Sequence, residues 1–378
     1  MDSAYSWHPG TVRVAARWAV SVEILPDELF SSWLIRLSLA NGSDPLAFTG
    51  AIWPGWRPWT SDIDRQPHSD RLAILAGLSS IEAEFFTKTT LAPIARNILG
   101  RNPFEKNSWP WILPIGARNR RRQGGLQYCP ICLSEDATPY YRLHWRLAWH
   151  VVCAKHGCFL RDRCPTCEAP LEPHKIVAEM GSVDLCATCR CRLTNANSPW
   201  NDVGFLRYLQ EITDHVLIAG KGMVLGETVS VQAWFDVLRF WRDLVRHSFH
   251  GRTESMAKLA ELMPSMVCES ADCGVFEIMR TAQRASLLKS VAWLMRLGSD
   301  ELVTVLRQAG VSRQNLFQAR VPPVDALQYL TRSLPDRKAP SRKARCSIHK
   351  QTGLPSPRSR RVVEWRMKKL QKKMEAER

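Results

Sequence analysis

Three features of the 378-residue sequence predict a mainly α-helical protein built around a small cysteine-rich centre. Long stretches carry apolar residues at helical spacing, nine of the twelve cysteines fall within 129–191, and a helix-turn-helix-like unit lies on each side of that block. The expected order is an N-terminal arm (1–22), an N-terminal helical domain (23–117), a double metal-binding module (118–198), a C-terminal helical domain (199–335) and a basic, flexible tail (336–378).

In the first helical domain, Asp27 after Pro26 is the expected N-cap. Leu29, Phe30, Trp33, Leu34, Leu37 and Ala40 then recur at helical spacing until Asn41-Gly42 ends the segment. Trp53, Pro54, Trp56, Pro58 and Trp59 follow in a turn-rich stretch. Arg71 to Ala76, a turn at Gly77 and a second helix over Ser80–Lys88 give the first helix-turn-helix-like unit, with Ser79 and Glu82 spaced as a capping box. This unit serves either nucleic-acid readout or scaffold and protein docking. Beyond Ser198-Pro199, amphipathic helices are expected over Val231–Phe249 and Ala282–Leu297. The second unit comprises Glu301–Gln308, a turn at Ala309-Gly310 and Ser312–Arg320 with Ser312 as cap. It offers Arg313, Gln314, Asn315, Gln318 and Arg320, side chains able to bond base edges and phosphates, and is the better DNA-reading candidate.

The central block carries the most specific pattern. Its pairs are Cys129-Pro-Ile-Cys132, Cys153-Ala-Lys-His156, Cys164-Pro-Thr-Cys167 and Cys186-Ala-Thr-Cys189. Two residues between donors let one tight turn aim two side chains at one ion, and two such turns complete a tetrahedron. Two Zn²⁺ per chain are therefore expected, one held by three cysteines and a histidine and one by four cysteines. Cys158 and Cys191 are spare thiols that could replace His156 and Cys189. His144 and His150 are expected on a helix between the halves of the first site, as packing or solvent-facing residues. Four protein ligands leave no open position for water, so both ions are structural.

The net charge is +16, and the stretch from Asp336 contributes +11 of it. Such a tail is either a solvated extension or a phosphate-contacting one, with Arg360 and Arg361 inside it and Arg366 to Lys373 able to form a short basic helix on binding. Arg118, Arg120, Arg121 and Arg122 form a second basic cluster before the first cysteine pair. They contact phosphates or an acidic protein face, or else solubilise a linker. Met1 to Val20 lacks an apolar leader, and no apolar run reaches the roughly eighteen residues of a membrane span, so a cytoplasmic setting is expected. Gly-rich phosphate loops and the HExxH and GxSxG motifs are missing from the sequence, leaving an enzyme reading without residues.

The segment Pro26-Asp27-Glu28-Leu29-Phe30-Ser31-Ser32-Trp33-Leu34-Ile35-Arg36-Leu37, running to Ala40-Asn41-Gly42, resembles the opening motif of the TniQ/TnsD family of transposon target-site adaptors. The likeness continues at Tyr128-Cys129-Pro130-Ile131-Cys132, Pro139-Tyr140-Tyr141-Arg142, Trp145-Arg146-Leu147 and the following cysteine turns, and extends from about Glu23 to Asn195. The resemblance implies a non-catalytic adaptor that links target DNA, or an RNA-guided CRISPR effector complex, to an AAA+ ATPase and the transposase. It also implies a homodimer. The alternative is a sequence-specific zinc-containing DNA-binding protein reading its site directly.

Overall fold

The computed structural model describes residues 18–65, 68–79, 81–105, 109–115, 125–194, 203–251, 253–264, 275–317, 324–336 and 367. Contacts divide the chain into two units, Met1–Pro335 and Asp336–Arg378, and the secondary structure named below lies in the first. The fold is mainly helical, as the periodicity predicts. Its N-terminal helices are α1 (Phe30–Ala40), α2 (Pro45–Ile52), α3 (Ser69–Ser79), α4 (Ala83–Lys88) and α5 (Ala92–Leu99). The cysteine block contains one short helix, α6 (Pro130–Glu135). After it come α7 (Gly204–Ala219), the antiparallel hairpin β1 (Lys221–Val224) and β2 (Glu227–Ser230), α8 (Val231–Phe249), α9 (Glu254–Leu262), α10 (Thr281–Arg296), α11 (Ser299–Gln308), α12 (Arg313–Phe317) and α13 (Gln328–Ser333).

Several expected boundaries move, each for a visible reason. Asp27 does not cap α1. It sits at φ 56°, its carbonyl accepts Leu143 N–H at 2.7 Å, and the helix begins at Phe30. The cysteine block has drawn Asp27 and Glu28 into a bridge opposite Arg142, so they serve a tertiary contact and not the helix end. Gly77 lies inside α3, and α4 is shorter than Ser80–Lys88. Ser79 Oγ donates to Leu75 O and accepts from Ile81 N, while Glu82 is itself the residue before α4, so no capping box forms. His144 falls in a single 3₁₀ turn (Leu143–Arg146) and His150 in irregular chain. The backbone there is engaged in tertiary bonds instead, Leu143 N–H donating to Asp27 O and Ala148 N–H to Trp111 O. By contrast α8 spans the expected residues, α10 is offset by one, and Ser312 Oγ accepts from Asn315 N–H at the start of α12.

Apolar packing runs without a break from α1 through the cysteine block into α7–α13. A smaller cluster, including Phe30, Trp33, Leu37, Trp53, Leu75 and Phe86, joins α1 to α3 and α4. What fixes the lobes on the block is polar. Ser32 Oγ donates to Glu28 and accepts from Tyr141 N–H, and Leu29 N–H donates to Tyr141 O. Arg146, fully buried, places Nη1 2.6 Å from Asp64, Nη2 2.6 Å from Asp62, and also donates to Leu113 O. Asp64 in turn accepts from the Ser31 N–H and hydroxyl. On the opposite side, Arg284 of α10 is buried and donates to Ala148 O at 2.8 Å and to Gln127 Oε1 at 2.9 Å. Gln127 Nε2 completes that network by donating to the carbonyls of Trp145 and His150.

Burial pushes the Asp64 carboxyl up to about 6, against the downward pull of Arg146. Replacing Arg146 with Met removes the closest cation from two carboxylates, leaving Asp62 with Arg65 at 3.8 Å and Asp64 with its Ser31 donors, and is expected to cost about 3–5 kcal/mol at neutral pH. The Asp64 carboxyl then rises further. A carboxyl raised in the folded state contributes stability that is complete below its unfolded value and lost as pH rises through the folded value. The penalty of Arg146→Met should therefore be smaller at pH 5 than at pH 8, as read by urea unfolding of both proteins. An equal penalty at the two pH values would contradict this account.

Candidate metal centre

Three of the four cysteine turns fold alike. In each, the first cysteine's N–H donates to the carbonyl five residues on: Cys153 to Cys158 (2.7 Å), Cys164 to Ala169 (3.0 Å) and Cys186 to Cys191 (2.9 Å). The residue after the second donor returns an N–H to the first cysteine's carbonyl, namely Gly157, Glu168 and Arg190. All three adopt left-handed backbone, at φ 62°, 55° and 62°. Isolated bridges Val152–Phe159, Arg163–Pro170 and Leu185–Arg192 then close each knuckle as a small hairpin. The fourth turn differs because Pro130 opens a helix. Cys129 Sγ sits at its N-terminus and accepts Cys132 N–H at 3.4 Å.

These knuckles gather the eight expected donors into two groups, Cys129/Cys132/Cys153/His156 and Cys164/Cys167/Cys186/Cys189, with every donor atom within 4.8 Å of the others in its group. In the first, Cys132 and Cys153 are 3.6 Å apart, and His156 Nδ1 lies 3.3, 3.3 and 3.5 Å from Cys129, Cys132 and Cys153. In the second, Cys164–Cys189 is 3.5 Å and Cys167–Cys186 is 3.7 Å. A tetrahedral zinc with Zn–S of about 2.3 Å has a sulfur–sulfur edge of about 3.8 Å and a sulfur–nitrogen edge of about 3.5 Å. The donor spacing therefore fits, and the clusters are compatible with two structural zinc sites. Thiol chemistry agrees. Hydrogen bonding to Cys129 and Cys153, with burial, pushes the Cys132 thiol up, whereas its neighbours pull Cys153 down, so these thiols do not ionise together without a cation.

Residues not singled out from the sequence support the donors. His156 Nε2 is 3.0 Å from Glu135, which also pairs with Lys155 at 2.6 Å. Lys155 first and His156 second hold the Glu135 carboxyl below its usual range. This is the carboxylate–histidine arrangement that orients metal ligands. Its signal lay in the sequence, since Glu135 follows Cys132 by three residues on α6, but no spacing rule selects it. His144 and His150 stand outside both groups, paired instead with Asp27 and Asp214. Burial lowers the His150 imidazole. Cys158 and Cys191 are also outside the groups of four.

Residues 19–160 match the TniQ family. The resemblance noted from Pro26 onward is thus confirmed across α1–α6 and the first donor group. The second group and the helices from α7 on lie beyond the matched residues. No curated protein matches the sequence.

Among the candidate nucleic-acid residues, Arg313 and Gln314 are exposed at the start of α12, where Asn315 is turned aside to Ser255 at 3.0 Å. Arg118, Arg120, Arg121, Arg122, Gln318, Arg320, Arg360 and Arg361 lie outside the described residues, as do Ser198-Pro199 and Arg366 to Lys373 except Met367. Among the described residues no helix is long and apolar enough to cross a membrane.

The left-handed positions give a paired test. Nothing lies within 4 Å of a Cβ built on Gly157, so Gly157→Ala adds only backbone strain, roughly 1–2 kcal/mol. Glu168→Gly relieves that strain and should be neutral or stabilising by up to about 1 kcal/mol. Thermal unfolding of the two variants should shift in opposite directions or leave Glu168→Gly unmoved.

Proposed function

We propose that this chain is a non-catalytic target-site adaptor in DNA transposition, held together by two structural Zn²⁺ ions. The observation that carries the reading is the union of a TniQ match with closed four-donor clusters. Such clusters fix surfaces and leave no coordination position for a reacting water. The finer reading is that the adaptor joins a target-recognition complex, either an RNA-guided CRISPR effector or target DNA itself, to an AAA+ ATPase and the transposase. The homodimer belongs to the same proposal.

The surface of the first helix pair supports protein docking over base reading. Helix α4 is only six residues long, and Glu84 on it pairs with Lys88. Exposed Ile74 (43%) and Phe85 (52%) lie on α3 and α4. Exposed apolar side chains suit a protein partner better than a phosphate backbone. A second reading, direct sequence recognition, is favoured by one observation: α11, the turn at Gly310 (φ 70°) and the capped α12 present Arg313 and Gln314 to solvent.

Elemental analysis of purified protein should find two zinc ions per chain, and Cys129→Ser or Cys167→Ser should unfold the central block, since a structural zinc contributes roughly 10–16 kcal/mol. A folded, metal-free variant would refute the structural role. For the adaptor role, the chain should bind its AAA+ ATPase in a pull-down, and Ile74→Glu with Phe85→Glu should weaken that binding at least tenfold without altering metal content. DNA binding should fall steeply with salt and show little sequence preference. A footprint on one defined site, relaxed at one or two base pairs by Gln314→Ala, would favour the second reading instead.

A further inference from the structure

The first donor group has a fifth candidate donor. Cys158 is 6% exposed, and its Sγ lies 3.5 Å from Cys129 Sγ, the same separation found between paired donors in the second group. Its position is imposed by the knuckle, because Cys153 N–H donates to Cys158 O at 2.7 Å and Leu160 N–H to Val151 O at 2.9 Å. The three knuckles place Cys158, Ala169 and Cys191 at equivalent positions. Cys191, at the equivalent position of the third knuckle, lies outside the second donor group. His156, meanwhile, is the one nitrogen donor of the eight. Its side chain reaches outward to Glu135, a residue with half-exposed side chain (48%).

We propose that Cys158 is a reserve ligand of the first zinc site, able to take the position of His156 and convert a three-sulfur, one-nitrogen site into a four-sulfur one. The proposal rests on the two-zinc reading given above. In the exchange, the Zn–N bond to His156 Nδ1 breaks and a Zn–S bond to Cys158 forms. The thiol proton leaves to solvent, the imidazole departs neutral, and no electron is transferred. Softer thiolate donation favours zinc retention, so release of the histidine arm need not release the metal. The site would then keep its ion while His156, Glu135 and Lys155 rearrange as a surface group.

The test uses the full chain loaded with Co²⁺, whose visible bands distinguish three-sulfur from four-sulfur ligation, together with zinc counting. Wild-type protein and Cys158→Ser should each bind two metals with the same spectrum. His156→Ala should still bind two, with one site shifted towards four-sulfur ligation, and His156→Ala/Cys158→Ser should bind one. Loss of one metal in His156→Ala alone overturns the proposal, and so does a retained metal whose spectrum ignores Cys158. If wild-type protein binds no metal, the zinc reading itself fails, which separates the two failures. Should His156→Ala not fold, the rate of zinc loss to a chelator decides. Cys158→Ser should lose one zinc about tenfold faster than wild type, within the range seen when a supporting group of a metal site is removed. An unchanged rate would make Cys158 only a small buried side chain.

Discussion

A guanidinium with no access to water holds the N-terminal helices to the cysteine block. Arg146 reaches both Asp62 and Asp64, and Asp64 receives two further bonds from Ser31 at the head of α1. Such a cluster is costly to desolvate and stable only when every partner is present. It therefore does more to choose one arrangement of the lobes than to raise stability. The residues of Ser31-Ser32-Trp33-Leu34 and of Trp145-Arg146-Leu147 occur together because they are two halves of one buried junction. Tyr141, Glu28 and Ser32 extend that junction by a few ångströms on its other side.

The opposite face of the block is held by the same device with different chemistry. Among the described residues Arg284 pairs with no carboxylate and donates instead to the carbonyls of Ala148 and Met279, the Gln127 amide oxygen and the Thr281 hydroxyl. Burial lowers this guanidinium to about 10, which still leaves it charged at neutral pH. Asp214 of α7 adds bonds to the Trp149 indole and the His150 ring. The block is thus gripped from both sides by long-range polar contacts, while its interior depends on short-range knuckles. These two levels divide the work. Local turns set where the donors stand, and the buried arginines set how the helical lobes are presented.

That division suits a chain whose task is proposed to be docking. On that proposal the four-donor groups supply stiffness, and the helix pairs α3–α4 and α11–α12 bury one face in the apolar packing and keep other side chains exposed. Short second helices of six and five residues leave the partner-facing side chains few, which places weight on Ile74 and Phe85 in one pair and on Arg313 and Gln314 in the other.

The two-residue spacing of Cys129/Cys132, Cys153/His156, Cys164/Cys167 and Cys186/Cys189 picked out the eight donors that the structure gathers into two groups, because a turn of that length aims both side chains at a common point. Helical period likewise determined α8 and α10 almost to the residue. What no local pattern contained was the use of Asp27 and Glu28 as a bridge to Arg142 and the meeting of Arg146 with Asp64 across 82 residues. Turns and helices are set by neighbours three or four positions away and are legible in order of sequence. Buried ion pairs acquire partners only when distant surfaces close and water leaves, so the tertiary structure alone decided them.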